Sequence, residues 1–148
     1  MNIERLTEHD LSPLAELFKH FWGESTSLEK MRLTFSKIVT NPSYILLAGK
    51  KSARFVGFAM GVICEELYGD CKPFMVIEDL IVDKNYRRSG LGSALMRDLE
   101  KHAISHDCSQ IIFITEADRT ETIKFYRSVG YEYEPYKGFK RRIGSANN

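Results

Sequence analysis

The sequence lacks what several protein classes need. No apolar run approaches the roughly 18 residues of a membrane span, and Met1-Asn2-Ile3-Glu4-Arg5 has neither the basic start nor the apolar stretch of a secretory signal. No membrane partner and a cytoplasmic location are therefore expected. Neither sign of charge is in excess: 21 Lys and Arg against 20 Asp and Glu leave +1, so the basic face that a nucleic acid requires is missing. Cysteine is scarce as well. Cys64, Cys71 and Cys108 are odd in number and widely spaced, which fits neither a disulfide framework nor a zinc knuckle. His102 and His106 stand four apart, but no Cys, Asp or Glu motif completes a metal site around them, and no metal is expected. There is no repeat, low-complexity block or linker.

What is present suits one domain. A chain of 148 residues, 43% apolar, buries a full core but is too short for two ordinary ones. Ile3 to Leu6 reads as a short strand. Thr7 with Asp10 three residues later has the form of a helix cap, ahead of Leu11, Leu14, Leu17, Phe18 and Phe21 at helical spacing. A second helix is expected from near Thr26, with a buried stripe of Leu28, Met31, Phe35, Ile38 and Val39, ending at Asn41-Pro42. The period then changes to that of strands: Tyr44 to Ala48, Arg54 to Ile63 and Phe74 to Val82. In the second of these, Val56, Phe58, Met60 and Val62 alternate with Gly57, Ala59 and Gly61, a small-residue face that invites close packing. An amphipathic helix then runs through about His102, followed by an apolar strand Ile111 to Thr115 of the kind covered on both faces. A last helix spans about Thr120 to Val129, and Tyr131 to Tyr133 with Phe139 to Ile143 would close the fold as a hairpin. Together these predict an α+β fold, a mostly antiparallel mixed sheet of about six or seven strands with about four helices.

Three segments carry chemistry. Arg87-x-x-Gly90-x-Gly92 lies between a buried strand and a helix. Glycine there lets the backbone turn and approach a ligand, the free amides of the first helical turn point at one spot, and Arg87 and Arg88 add charge. A pyrophosphate is the ligand such a loop suits; a plain strand-to-helix turn with solvated arginines is the alternative. It is neither a Walker loop nor a dinucleotide fingerprint, since no Gly-Lys-Ser/Thr follows and Gly92 is succeeded by Ser93-Ala94-Leu95. Glu78-Asp79 interrupts an apolar strand, where carboxylates are costly unless paired or serving a site. Strand alternation expects them on opposite faces, so that one of the two faces any given site. The third segment is Phe125-Tyr126 ahead of Gly130-Tyr131, which alone reads as core aromatics beside a helix cap.

Ile77 to Val82, then Tyr86-Arg87-Arg88-Ser89-Gly90-Leu91-Gly92, then Phe125-Tyr126 before Gly130-Tyr131, in that order and spacing, resemble the GNAT superfamily of acetyl-CoA-dependent N-acetyltransferases over about residues 3–143. The resemblance implies that Leu80, Ile81 and Val82 pair with the pantetheine arm of acetyl-CoA. It further implies that amides from Arg88, Ser89, Gly90, Leu91 and Gly92 cradle the pyrophosphate, that Tyr126 protonates the departing thiolate, and that Glu78 serves as general base, directly or through water. A homodimer is the family's expectation. One departure is Arg119, where many members carry an Asn that contacts the cofactor.

The chemistry implied is acetyl transfer to a primary amine by direct attack, without metal. A primary amine, with a pKa near ~10.4, must lose a proton before it attacks. Two acidic and aromatic connections, Trp22-Gly23-Glu24 and Glu65-Glu66-Leu67-Tyr68-Gly69-Asp70, are expected near the acceptor's entrance, with Asp79 contributing to acceptor binding. They suit a small cationic acceptor such as a polyamine or aminosugar. A protein N-terminus or lysine as acceptor, or an acetyl-CoA sensor without turnover, are the other readings.

Overall fold

The computed structural model describes residues 1–144, which divide into two compact units, Met1–Phe113 and the residues from Ile114 onward. The first unit is built on a sheet of five strands in sequence order: β1 (Asn2–Arg5), β2 (Tyr44–Lys51), β3 (Arg54–Cys64), β4 (Phe74–Val82) and β5 (Ile111–Ile112). All neighbours are antiparallel except β4 and β5, which run parallel. The parallel pair is joined through helix α3 (Leu91–Ser105), because two parallel strands need a crossover of this length. Helices α1 (Leu11–Trp22) and α2 (Leu28–Ile38) precede β2. The class is α+β, as the sequence predicts, with five strands among the described residues rather than six or seven.

The small-residue face of β3 has a visible purpose. A Cβ built on Gly57 would lie 3.0 Å from Leu91, and one on Gly49 of β2 would lie 2.8 Å from the same side chain. At Gly61 it would come within 2.9 Å of Met75 and 3.1 Å of Leu99. Leu91, Leu95 and Leu99 of α3 are fully buried because the strands have given up side chains to admit them. On the opposite face Phe58 joins Leu6, Leu11, Leu14, Leu46 and Ala48 in a core cluster, against which Phe18, Met31, Phe35 and Met60 pack in part. Phe18 and Phe58 meet edge to face at 5.9 Å, the arrangement aromatic quadrupoles favour.

The corner before α1 is polar and fully paired. The Asp10 carboxylate accepts from the Thr7 amide and hydroxyl, both at 2.9 Å, and lies 3.0 Å from the Lys50 ammonium, which also reaches Glu4 at 3.5 Å. Burial works against charge on Asp10, but the Thr7 and Lys50 contacts outweigh it and hold the carboxyl below the usual aspartate range. The expected Thr26 cap of α2 is displaced by one residue: Ser27 is the cap, its hydroxyl accepting from the Lys30 amide.

The strand expected over Ile111–Thr115 is cut to Ile111–Ile112, and Ile112 is exposed rather than covered on both faces. The second unit holds α4 (Thr120–Ser128). The hairpin expected from Tyr131–Tyr133 and Phe139–Ile143 does not form; both segments are irregular and mostly exposed. Pro135, with no amide to donate, and the charged side chains of Lys137, Lys140, Arg141 and Arg142 leave little that a ladder could hold.

Candidate active site

β4 breaks its alternation where the two carboxylates sit. Ile77 pairs with Gly61, but Asp79 pairs with Met60 and Leu80 with Ala59, so Glu78 is an extra residue opposite the Met60–Gly61 step. Such a bulge inserts one residue and re-aims the side chains beyond it. Ile77 and Leu80 both fall on the small-residue face, opposite Gly61 and Ala59, and Glu78 and Asp79 both turn away from it. The expectation of opposite faces is therefore overturned: a pure period of two does not survive an inserted residue. Glu78 is exposed. Asp79 is half-buried and lines a cleft of about 380 Å³ between α1, α2 and the sheet, together with Met60, Phe58 and Phe35. Desolvation, with the neighbouring Glu78 charge second, pushes the Asp79 carboxyl above the usual range.

The same strand has an open edge. β5 pairs only with Met75 and Val76, so from Ile77 to Val82 the β5 side of β4 has no strand partner among the described residues. Leu80, Ile81 and Val82 pair on their other side with Ala59, Phe58 and Gly57. An unpaired strand edge presents alternating amides and carbonyls to any extended ligand that carries amides of its own.

The loop beyond β4 ends at a helix start that no side chain caps. Gly90 caps α3 with φ +83°, a conformation costly for any residue with a Cβ. A Cβ there would meet nothing within 4 Å, so backbone conformation rather than room selects glycine. Ala94 is the first amide to find a helical carbonyl, that of Gly90 at 3.0 Å. Leu91, Gly92 and Ser93 precede it, and no side chain caps the helix. Amides in that position, backed by the helix dipole, suit a phosphate or pyrophosphate. Arg88, exposed and itself at φ +58°, adds a cation on the approach. Ser89 donates its hydroxyl to the Tyr86 carbonyl and so braces the turn. Arg87 is held elsewhere, its Nε donating to the Val82 carbonyl at 3.4 Å and its guanidinium 5.9 Å from the Phe21 ring.

Tyr126 lies on α4 in the second unit, half-buried and in tilted contact with Phe125 at 5.3 Å between ring centroids. Burial pushes its phenol up, and Arg119, at the start of the same helix, pulls weakly the other way. At neutral pH the hydroxyl therefore keeps its proton.

The acceptor residues expected from the loops stand apart from the cleft. Trp22, 52% exposed, packs on Phe21 at 4.6 Å, and Glu24 is exposed beyond the helix end. Glu65 and Glu66 are exposed, and the Glu66 carboxylate turns back to accept from the amides of Leu67 and Tyr68 at 2.7 and 3.2 Å. Of the five residues, Asp79 alone lines the cleft. What sequence reasoning missed is the α2 wall, Met31 and Phe35, read there as buried core; their helical spacing marks the face but not the gap it borders.

Residues 11–131 match the model of the acetyltransferase (GNAT) family. A glucosamine 6-phosphate N-acetyltransferase of Trypanosoma brucei brucei is 29% identical over 135 residues, 88% of each chain. The crystal structure of glucosamine-6-phosphate N-acetyltransferase from Arabidopsis thaliana superposes with a TM-score of 0.80 at 20% identity, covering 95% of this chain and 97% of that one. AAC(6')-Iy, solved with the bisubstrate analogue CoA-S-monomethyl-acetylneamine, gives 0.80 at 17% identity over 95% and 97% of the two chains.

Proposed function

This chain belongs to the GNAT acetyltransferase family and is an acyltransferase, and from that premise we propose that it carries acetyl from acetyl-CoA directly to the primary amine of a small cationic acceptor. The observation that carries the reading is the run of β4 from Glu78 to Val82, which joins an acid pair, an open strand edge and the loop to an anion-binding helix start. Aminosugars and polyamines are members of the acceptor class expected from the sequence, and the aminosugar case draws support from the names of the relatives.

Acetyl-CoA supplies an acyl group activated as a thioester. Leu80, Ile81 and Val82 would hold its amide-bearing arm along the strand edge, and the amides of Leu91, Gly92 and Ser93 with Arg88 would hold its pyrophosphate. The acceptor's ammonium gives up a proton to the acid pair. Asp79, in the cleft and with its carboxyl already raised, is the better proton acceptor of the two, with Glu78 beside it as the second charge. By the family resemblance Tyr126, protonated at neutral pH, would be the donor to the departing sulfur.

Thiol release from acetyl-CoA across a panel of amines tests the reaction; binding of acetyl-CoA without turnover on any amine would favour a sensor. Gly90→Val should abolish acetyl-CoA binding in a folded protein, and calorimetry showing unchanged affinity would remove the loop from the site. Tyr126→Phe should lower kcat by about 10²–10⁴ if the phenol donates a proton. A change within about twofold, with chemistry limiting, would leave it a packing residue.

A further inference from the structure

The cleft that Asp79 lines is unlike a site for a sugar or for a chain of charges. Resting on the acetyl-transfer reading above, we propose that the acceptor is an amphipathic primary amine, its ammonium at Asp79 and its hydrocarbon or aryl body lodged among Phe18, Met31, Phe35, Phe58 and Met60.

The space itself is the first argument. About 380 Å³ lies within the range of small-molecule sites, roughly 300–1,000 Å³, whereas packed interiors hold few voids larger than a water molecule. The helix that borders it is the second. α2 has no fully buried residue, although Met31, Phe35 and Ile38 point their apolar stripe at the core cluster. Side chains that face a gap forfeit dispersion contacts on that side, and an apolar body in the cleft restores them.

Charge is the third argument and sets the other end of the ligand. Among the described residues that line the cleft, Asp79 is the only carboxylate and Lys30 the only cation. No described hydrogen bond or ion pair engages Asp79, so one ammonium completes it. Within the cleft, a polyamine's second ammonium would meet apolar walls or Lys30. A sugar phosphate would find Lys30 as its single cation, and its hydroxyls would have only Thr26, Ser27 and Thr34 to bond, with the Ser27 hydroxyl already accepting from the Lys30 amide. Each unpaired polar group costs the ligand affinity. The cleft thus separates this chain's acceptor from the substrate named for its glucosamine 6-phosphate relatives.

The experiment is a series of n-alkyl primary amines from propyl to octyl, beside phenylethylamine, spermidine, glucosamine and glucosamine 6-phosphate. Two quantities are read: kcat/KM by thiol release, and amine affinity by calorimetry in the presence of coenzyme A. Both should rise about fourfold per methylene until the cleft is full. Met31→Gln should flatten the series, and the conservative Phe35→Leu, which keeps an apolar wall and widens the space, should move the optimum to a longer chain. A flat series with efficient transfer to glucosamine or spermidine would overturn the inference and leave acetyl transfer standing. A graded series in binding with no turnover on any amine would keep the inference and overturn the transfer reading. Flat binding without turnover would end both.

Discussion

Asp10 and Asp79 are both carboxylates set against the same side of the sheet, and the protein treats them in opposite ways. Asp10, 4% exposed, takes two hydrogen bonds from Thr7 and an ion pair from Lys50, and its carboxyl is held low. Asp79 has no such partner, sits beside a second carboxylate, and is pushed up. Partners make a buried charge part of the scaffold; their absence leaves a group free to bind or to take a proton. Burial is the largest single influence on both, and it is the company each keeps that decides the sign of the shift.

The largest expected effect breaks the pair at the working end. Asp79→Asn should lower kcat by about 10²–10⁴ if the carboxylate accepts the acceptor's proton, while the melting temperature at neutral pH rises. The sign comes from linkage. A carboxyl raised in the folded state penalises folding above its folded pKa, and the penalty fades as pH falls toward the ordinary aspartate value of 3.8. The gain in stability should therefore vanish in acid. Unaltered turnover at every pH would show that Asp79 neither binds nor takes a proton.

Asp10→Asn should do the reverse. Unfolding by denaturant at neutral pH should show a loss of about 1–3 kcal/mol, since Lys50 and Thr7 lose their shared acceptor, with the kcat of the folded fraction unchanged. Because the folded carboxyl is depressed, its contribution is present above 3.8 and disappears as pH falls through the folded value. Parent and variant curves should accordingly converge at low pH. Curves that stay parallel would mean that the ion pair contributes nothing.

The smallest effect sharpens the assignment within the acid pair. Glu78→Gln removes the second of the two causes that raise Asp79, so the alkaline-rising limb of the rate profile should move to lower pH and persist. Loss of the limb would make Glu78 the base, as the family resemblance implies.

Sequence alone carries the strands and helices that have a strong period. Phe74–Val82 and the glycine-lined Arg54 strand emerge as read, because alternation and small-residue spacing are local properties of the chain. The bulge at Glu78 is hidden from it, since an inserted residue shows only when a partner strand fixes the register. The closing hairpin fails for a local reason: Tyr131 and Tyr133 alternate, but Pro135 and the charged residues between Phe139 and Ile143 leave the second segment without a strand's pattern. Of the loop before α3, the turn at Gly90 is legible because glycine carries its own geometry. In the acidic loops, the Glu66 carboxylate is turned onto its own turn, which a list of charges does not reveal. The cleft escapes notice altogether, because a helical stripe says which way Met31 and Phe35 point and nothing of how far off the opposite wall stands.

Leu91 ties the interior to the glycine loop before α3 in a way that concerns mechanics rather than composition. Its amide stands in the first turn of α3, and its side chain is keyed into the notches left by Gly49 and Gly57. The helix start is thus indexed to the sheet like a gear tooth, and it neither slides nor rotates without lifting that side chain out. Gly57→Ala would press on Leu91 and on the Ile81 carbonyl together. A substitution a whole strand away from the loop would then register as a misalignment of the amides, so an affinity titration and a melting curve would report one and the same displacement.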